Sequence, residues 1–140
     1  MASLLETAKS AGSFTKLLEA VEKSGLKPTL EMPGPYTLLA PTDEAFAKMP
    51  EDLRHNLLDN PAKLKRVVAY HILSGDVRSD DLAEIDEAPT VEGSILAVER
   101  KNGVYVNDAL VTQTDILTDN GVIHVIDAVL MPALLAAERL

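Results

Sequence analysis

The chain has no cysteine among its 140 residues. That excludes disulfides, thiolate nucleophiles and thiolate metal sites. It leaves the redox compartment open, because an extracellular domain need not carry disulfides. Tryptophan is absent too, and the aromatics are only Phe14, Tyr36, Phe46, Tyr70 and Tyr105. The core must therefore be built from Leu, Val, Ile and Ala. No apolar run approaches the length of a membrane span. The opening Met-Ala-Ser-Leu-Leu-Glu has neither a basic leader nor an apolar h-region, so no signal peptide is expected in this stretch. Basic residues are in deficit, 13 against 22 acids, for a formal net charge of −9. Such a chain repels nucleic acid and anionic lipid at long range. Its one basic run, Lys63-Leu-Lys-Arg66, lies beside apolar helical positions and reads as a solvated face.

Recognisable catalytic spacing is also missing. The histidines His55, His71 and His124 are far apart in sequence, and no HExxH or similar ligand pattern occurs. No serine lies in a GxSxG elbow, no EF-hand calcium loop is present, and no glycine run matches a phosphate cradle. The acidic pairs Asp43-Glu44 and Asp80-Asp81, with Glu84, read as charges placed at helix starts. No cofactor and no enzymatic activity are expected. His55 is expected on an exposed helix face, and His124, within an alternating strand, in a structural role.

What is present is a helical first half and a strand-rich second half. Ser13 is placed to N-cap a helix from Phe14 to Lys23, and Gly25 to end it in the left-handed conformation. Tyr36 to Ala40 is a short apolar strand that Pro41 ends. Thr42 can cap the next helix, and Asn60-Pro61 pairs a cap with proline at the first helical position. Leu64, Val67, Val68 and His71 share one face, so His71 should be buried and in need of a partner. Ser79 to Leu82 reads as one helical turn. After Pro89 come β-branched runs over Thr90–Val91, Ser94–Glu99, Val104–Val106, Leu110–Ile116 and Val122–Ile126. Asn102-Gly103 and Asn120-Gly121 read as turns, with Gly103 and Gly121 at positive φ. Pro132 begins a last helical stretch. Helices first and antiparallel strands afterwards point to an α+β fold.

Two segments are more specific. One is Thr37-Leu-Leu-Ala-Pro-Thr-Asp-Glu-Ala-Phe46; the other is Asn120-Gly-Val-Ile-His-Val-Ile-Asp-Ala-Val-Leu-Met-Pro132, with Tyr70-His71 between them. In this order they resemble the fasciclin-like domain, a module of extracellular adhesion proteins that also occurs singly in prokaryotes. The resemblance treats 1–140 as a single domain and is strongest over 13–132. It implies a wedge of two small β-sheets with helices packed along one side. It also implies a hydrogen bond from His71 to the first motif, with Thr42 or Asp43 as the partner here. Of the binding elements proposed in animal members, Tyr70-His71 matches one, flanked by Val67, Val68, Ile72 and Leu73. Asp115-Ile116 matches the other, with Thr112-Gln-Thr114 in place of that motif's Glu-Pro. The resemblance thus implies a non-catalytic adhesion or interaction domain, extracellular or periplasmic, whose binding residues are Tyr70, His71, Asp115 and Ile116. The expected partner is a protein or a cell surface. The alternative is a carrier of a hydrophobic small molecule such as a carotenoid, although few aromatic platforms are available for a polyene.

Overall fold

The computed structural model describes residues 3–130 except Lys101 and Asp108. The helix expected from Pro132 lies outside the described residues. Helices α1 (Leu4–Ala11), α2 (Thr15–Ser24) and α3 (Lys27–Leu30) come first, followed by strand β1 (Tyr36–Pro41). Then come α4 (Asp43–Ala47), α5 (Glu51–Leu58), α6 (Pro61–Tyr70), β2 (Ile72–Ser74) and α7 (Ser79–Leu82). Strands β3 (Glu87–Pro89), β4 (Ile95–Arg100), β5 (Val104–Val106), β6 (Ala109–Thr118) and β7 (Gly121–Ile126) complete the order. The fold is α+β, as expected.

The strands hydrogen-bond in the order β2-β1-β7-β6-β5-β4-β3. The pair β1–β7 is parallel; the others are antiparallel. The two small sheets implied by the sequence are the two halves of this order. They join at the long β6, whose pairing with β7 slips between Val111 and Gln113 and again before Ile116. Such bulges increase local twist and let one strand serve both halves. Beyond β3, Thr90 bridges Leu73 and Val91 donates its N–H to the Ile72 carbonyl at 2.8 Å. The two ends of the order are thereby tied together, and β2 is not left as an open edge.

Strands β1 and β7 are buried on both faces, which is why their sequences read as continuous apolar runs rather than alternations. Leu38, Ala40, Ile123 and Val125 face one core, shared with Leu4, Phe14, Leu17, Val21, Leu64 and Val68 of the helices. Leu39 and Ile126 face the other, with Leu73, Leu82, Leu96, Val98 and Val106. Neighbouring residues point to opposite sides of a strand, so this pair divides the two cores.

Helix ends follow the sequence with one correction. Thr42 caps α4 by accepting the Ala45 N–H at 3.2 Å, and Asn60 caps α6 through the Lys63 N–H at 3.2 Å. Gly25 ends α2 at φ 80°. Ser13, however, does not cap α2, which starts at Thr15 with no cap from its own side. The carboxylate of Asp43 does that work from α4. It accepts the Thr15 hydroxyl at 2.7 Å and the Lys16 N–H at 2.8 Å. Ser13 returns its backbone carbonyl to the Asp43 N–H at 2.9 Å. Burial raises the Asp43 carboxyl pKa, but the Lys16 N–H and Thr15 hydroxyl outweigh it, and the net direction is down. Pro41 closes β1 from inside, paired with Ile126, rather than following it.

The turn at Asn120-Gly121 is a second correction. Thr118 pairs with Gly121, so Asp119 and Asn120 form the loop and Gly121 is the first residue of β7. Its φ is not positive; Gly103, in the β4–β5 turn, has φ 131° as expected.

Candidate functional site

His71 closes α6 and is buried at 2% exposure. Its ring does not reach Thr42 or Asp43. Instead, Leu130 donates its N–H to Nε2 at 2.9 Å, and Nδ1 lies 2.7 Å from the Val67 carbonyl. An amide N–H can only donate, so Nε2 must be the bare nitrogen, and Nδ1 donates to Val67. The link to the first motif does exist, but through the backbone: Leu39 donates to the His71 carbonyl at 2.8 Å. Burial without a charged partner drives the His71 pKa down to about 4, against a smaller upward effect from the Val67 carbonyl. Tyr70 is buried as well. Its hydroxyl accepts from the Asn107 amide at 3.0 Å and lies 3.4 Å from the Ile95 carbonyl.

His124 is fully buried in β7 and uses the opposite tautomer. The Asp115 N–H donates to Nδ1 at 3.3 Å, so Nε2 donates to the Val77 carbonyl at 2.6 Å. Asp115 itself is exposed, at φ 57°, a conformation unusual for a residue with a Cβ. Its carboxylate accepts both the Ser79 N–H, at 2.9 Å, and the Ser79 hydroxyl, and so caps α7 from β6. The Ser79 hydroxyl and N–H hold the Asp115 pKa below the ordinary carboxylate value. Ser79, Asp115 and His124 are thus gathered, yet they form no relay. The serine proton goes to the carboxylate, and the imidazole's bare nitrogen faces a backbone N–H. Ile116 is half-buried, pairs with Ile123 and packs against the first core.

The sequence reading missed two residues that carry much of the motifs' meaning. Thr37 is buried; its hydroxyl donates to the Gly75 carbonyl at 2.8 Å and accepts the Val77 N–H at 2.8 Å. Asn120 is buried in the loop before β7. Its Oδ1 accepts the Leu4 N–H at 2.9 Å, while its amide donates to Leu30 at 2.8 Å and Met32 at 2.9 Å. It therefore joins α1 and the end of α3 to the β6–β7 turn. A polar residue inside an otherwise apolar motif was the available signal, since a buried amide must be paired.

Among the described residues, a cavity and a groove adjoin these elements. A cavity of about 20 Å³, walled by Leu17, Phe46, Leu57, Val68 and His71 among others, has room for a single water at most. A groove of about 420 Å³ runs between α1, α2 and α3, with Leu5, Leu18 and Val21 as its apolar lining and Lys9, Glu22, Lys27 and Glu31 among the residues around it. Among the described residues, no cluster of His, Asp or Glu is placed to hold a metal ion. No helix among them is long and apolar enough to cross a membrane.

The fasciclin domain profile matches residues 12–132, which is most of the chain. The chain belongs to the fasciclin domain family. Among its relatives, the Synechocystis sp. protein sll1735 is 40% identical over 131 residues, spanning 94% of this chain and 98% of that protein. The pig protein named transforming growth factor-beta-induced protein ig-h3 is 35% identical over 133 residues. Those residues are 94% of this chain but 20% of the larger protein. Among solved structures, a FAS1 domain pair from the insect cell adhesion molecule fasciclin I superposes with a TM-score of 0.66 at 24% identity. The match covers 86% of this chain and 46% of that one. At that identity the likeness speaks for the fasciclin fold alone.

Proposed function

We propose that this fasciclin domain is a non-catalytic interaction module, extracellular or periplasmic, that binds a protein or cell-surface partner through Asp115 and Ile116. One observation supports this most. The polar side chains that the motifs gather inside the fold are occupied by backbone groups, whereas Asp115 faces solvent in a fixed position. A carboxylate offers about four acceptor sites, and Ser79 takes two, so Asp115 can still meet a partner's cation. The chain's net charge of −9 favours a basic partner and speeds encounter with one. Tyr70 and His71 then act from within, by shaping the fold beneath that surface. Membership of the fasciclin domain family supports the adhesive class of the function.

The test is attachment to cells or surface polymers by wild type, Asp115→Ala and Ser79→Ala, with folding checked by circular dichroism. Asp115→Ala is expected to lose attachment while Ser79→Ala, which leaves the carboxylate in place, retains most of it. A folded Asp115→Ala protein that attaches like wild type removes Asp115 from the site. The second reading, a carrier of a hydrophobic small molecule such as a carotenoid, is favoured only by the groove between α1, α2 and α3. A visible absorbance band in the purified protein would move the assignment there.

A further inference from the structure

His71 holds Leu130 through the one ring nitrogen that acid takes away. At Nε2 the bond runs from the Leu130 N–H to a bare nitrogen, 2.9 Å apart. A proton there would set two N–H groups against each other, so the contact exists only while the imidazole is neutral. The other ring nitrogen already donates to the Val67 carbonyl and gives no alternative acceptor. Leu130 is buried at 3% exposure in the same cluster as Leu39, Tyr70 and Ile126. It lies beyond Ile126, the last paired residue of β7, with Asp127, Ala128 and Val129 between.

From this geometry we propose that His71 and Leu130 form an acid-released latch, closed at neutral pH, whose opening frees Leu130 from the second core while the sheet stays paired. Among the described residues no carboxylate bonds to the ring, whose partners are the Val67 carbonyl and the Leu130 N–H. Arg54 of α5 lines the same cavity and offers no counter-charge to a protonated ring. On the α2 and β1 sides that cavity is walled by Leu17, Ala20 and Pro41, which do not titrate. Toward Leu130, Lys48 is engaged with the Asp127 carbonyl at 2.9 Å, and the Asp127 carboxylate accepts the Leu110 N–H at 2.9 Å. A charged imidazole therefore gains solvation only by opening outward, and the lowered pKa of His71 agrees with that. Between the pKa of the open state, near 6.5, and that of the closed state, near 4, each pH unit should shift the opening equilibrium about tenfold.

The decisive experiment is residue-resolved amide exchange on the intact protein across that pH range, expressed as protection factors. Leu130 should lose protection about tenfold per pH unit below 6.5 through an opening that added urea barely affects, while the β7 amides Ile123 and Val125 stay more protected at each pH and exchange only through urea-sensitive unfolding. His71→Gln, which can donate and accept at similar places without titrating, should make Leu130 protection independent of pH. Were that variant not to fold, the wild-type comparison decides alone. Protection at Leu130 that does not change with pH overturns the latch. So does protection at Leu130 equal to that of Ile123 and Val125 and equally sensitive to urea, because Leu130 then opens only with the whole domain.

Discussion

The two Asn-Gly pairs are the same dipeptide put to opposite uses. At Asn102-Gly103 both residues are exposed and both have positive φ, 52° and 131°, so the pair supplies backbone shape to the β4–β5 turn. At Asn120-Gly121 neither residue is there for φ. Asn120 is buried and its side chain joins Leu4, Leu30 and Met32. Gly121 lies where a Cβ would come within 1.9 Å of the Tyr36 carbonyl oxygen, so its missing side chain lets β1 and β7 start their parallel pairing. A local turn signal is thus legible in the first pair, while the second is shaped by contacts from far along the chain. The comparison also explains why the second pair belongs to a family motif. It is a junction of three parts of the fold, and no neighbouring turn could replace it.

The comparison is broken most severely at Gly121. Gly121→Ala must push β1 away from β7, and we expect a loss of roughly 3 kcal/mol or more in denaturant unfolding, or no folded protein. A near-neutral result would mean the strands do not approach as described. Acid tests His71 next. Its folded-state pKa, about 4, lies below the 6.5 of an exposed imidazole, so the unfolded chain takes up the proton first. This contribution vanishes above about pH 6.5. As the pH falls toward 4, stability is lost at up to about 1.4 kcal/mol per unit, roughly 3 kcal/mol in all. Melting wild type and His71→Gln across that range should show a steeper acid loss in wild type; parallel curves would remove His71 from the account. Asp43→Ala should cost about 1–2 kcal/mol by uncapping α2, although the residue sits in α4. Ser13→Ala, at the residue whose carbonyl alone is used, should stay within about 0.5 kcal/mol of wild type in the same melts. The reverse order would restore Ser13 as the cap. Gly103→Ala should have an intermediate effect of about 1 kcal/mol, because its φ is unusual for alanine but its surroundings are open apart from Leu110.

Local chemistry was readable where it sufficed. Thr42, Asn60-Pro61 and Gly25 mark real helix ends, and the apolar runs of β1 and β7 mark the strands buried on both faces. Burial of His71 followed from its place on the apolar face of α6, but its partner did not. Leu130 is 59 positions away, and nothing in a helix pattern says which distant N–H will meet the ring. The Asp43 cap failed to show for the same reason, since Ser13 offered a nearer hydroxyl and the carboxylate arrives from another helix. Of the candidate binding residues, the pattern placed His71 inside, while the burial of Tyr70 and the exposure of Asp115 are findings of the structure. That Asp115 also caps α7 and bonds to His124 through its N–H is a product of the bulged β6.

The central claim is that the motif residues are internal ties between distant parts of the fold. It is tested most directly by the unfolding free energies of Asn120→Ala and Asn102→Ala, measured side by side in urea. Asn120→Ala should cost roughly 3–5 kcal/mol, because it leaves the Leu4 N–H and the Leu30 and Met32 carbonyls without their partner inside the fold. Asn102→Ala should cost about 1 kcal/mol, the strain of alanine at positive φ in an exposed turn. Equal losses, or a larger loss at Asn102, would contradict the claim.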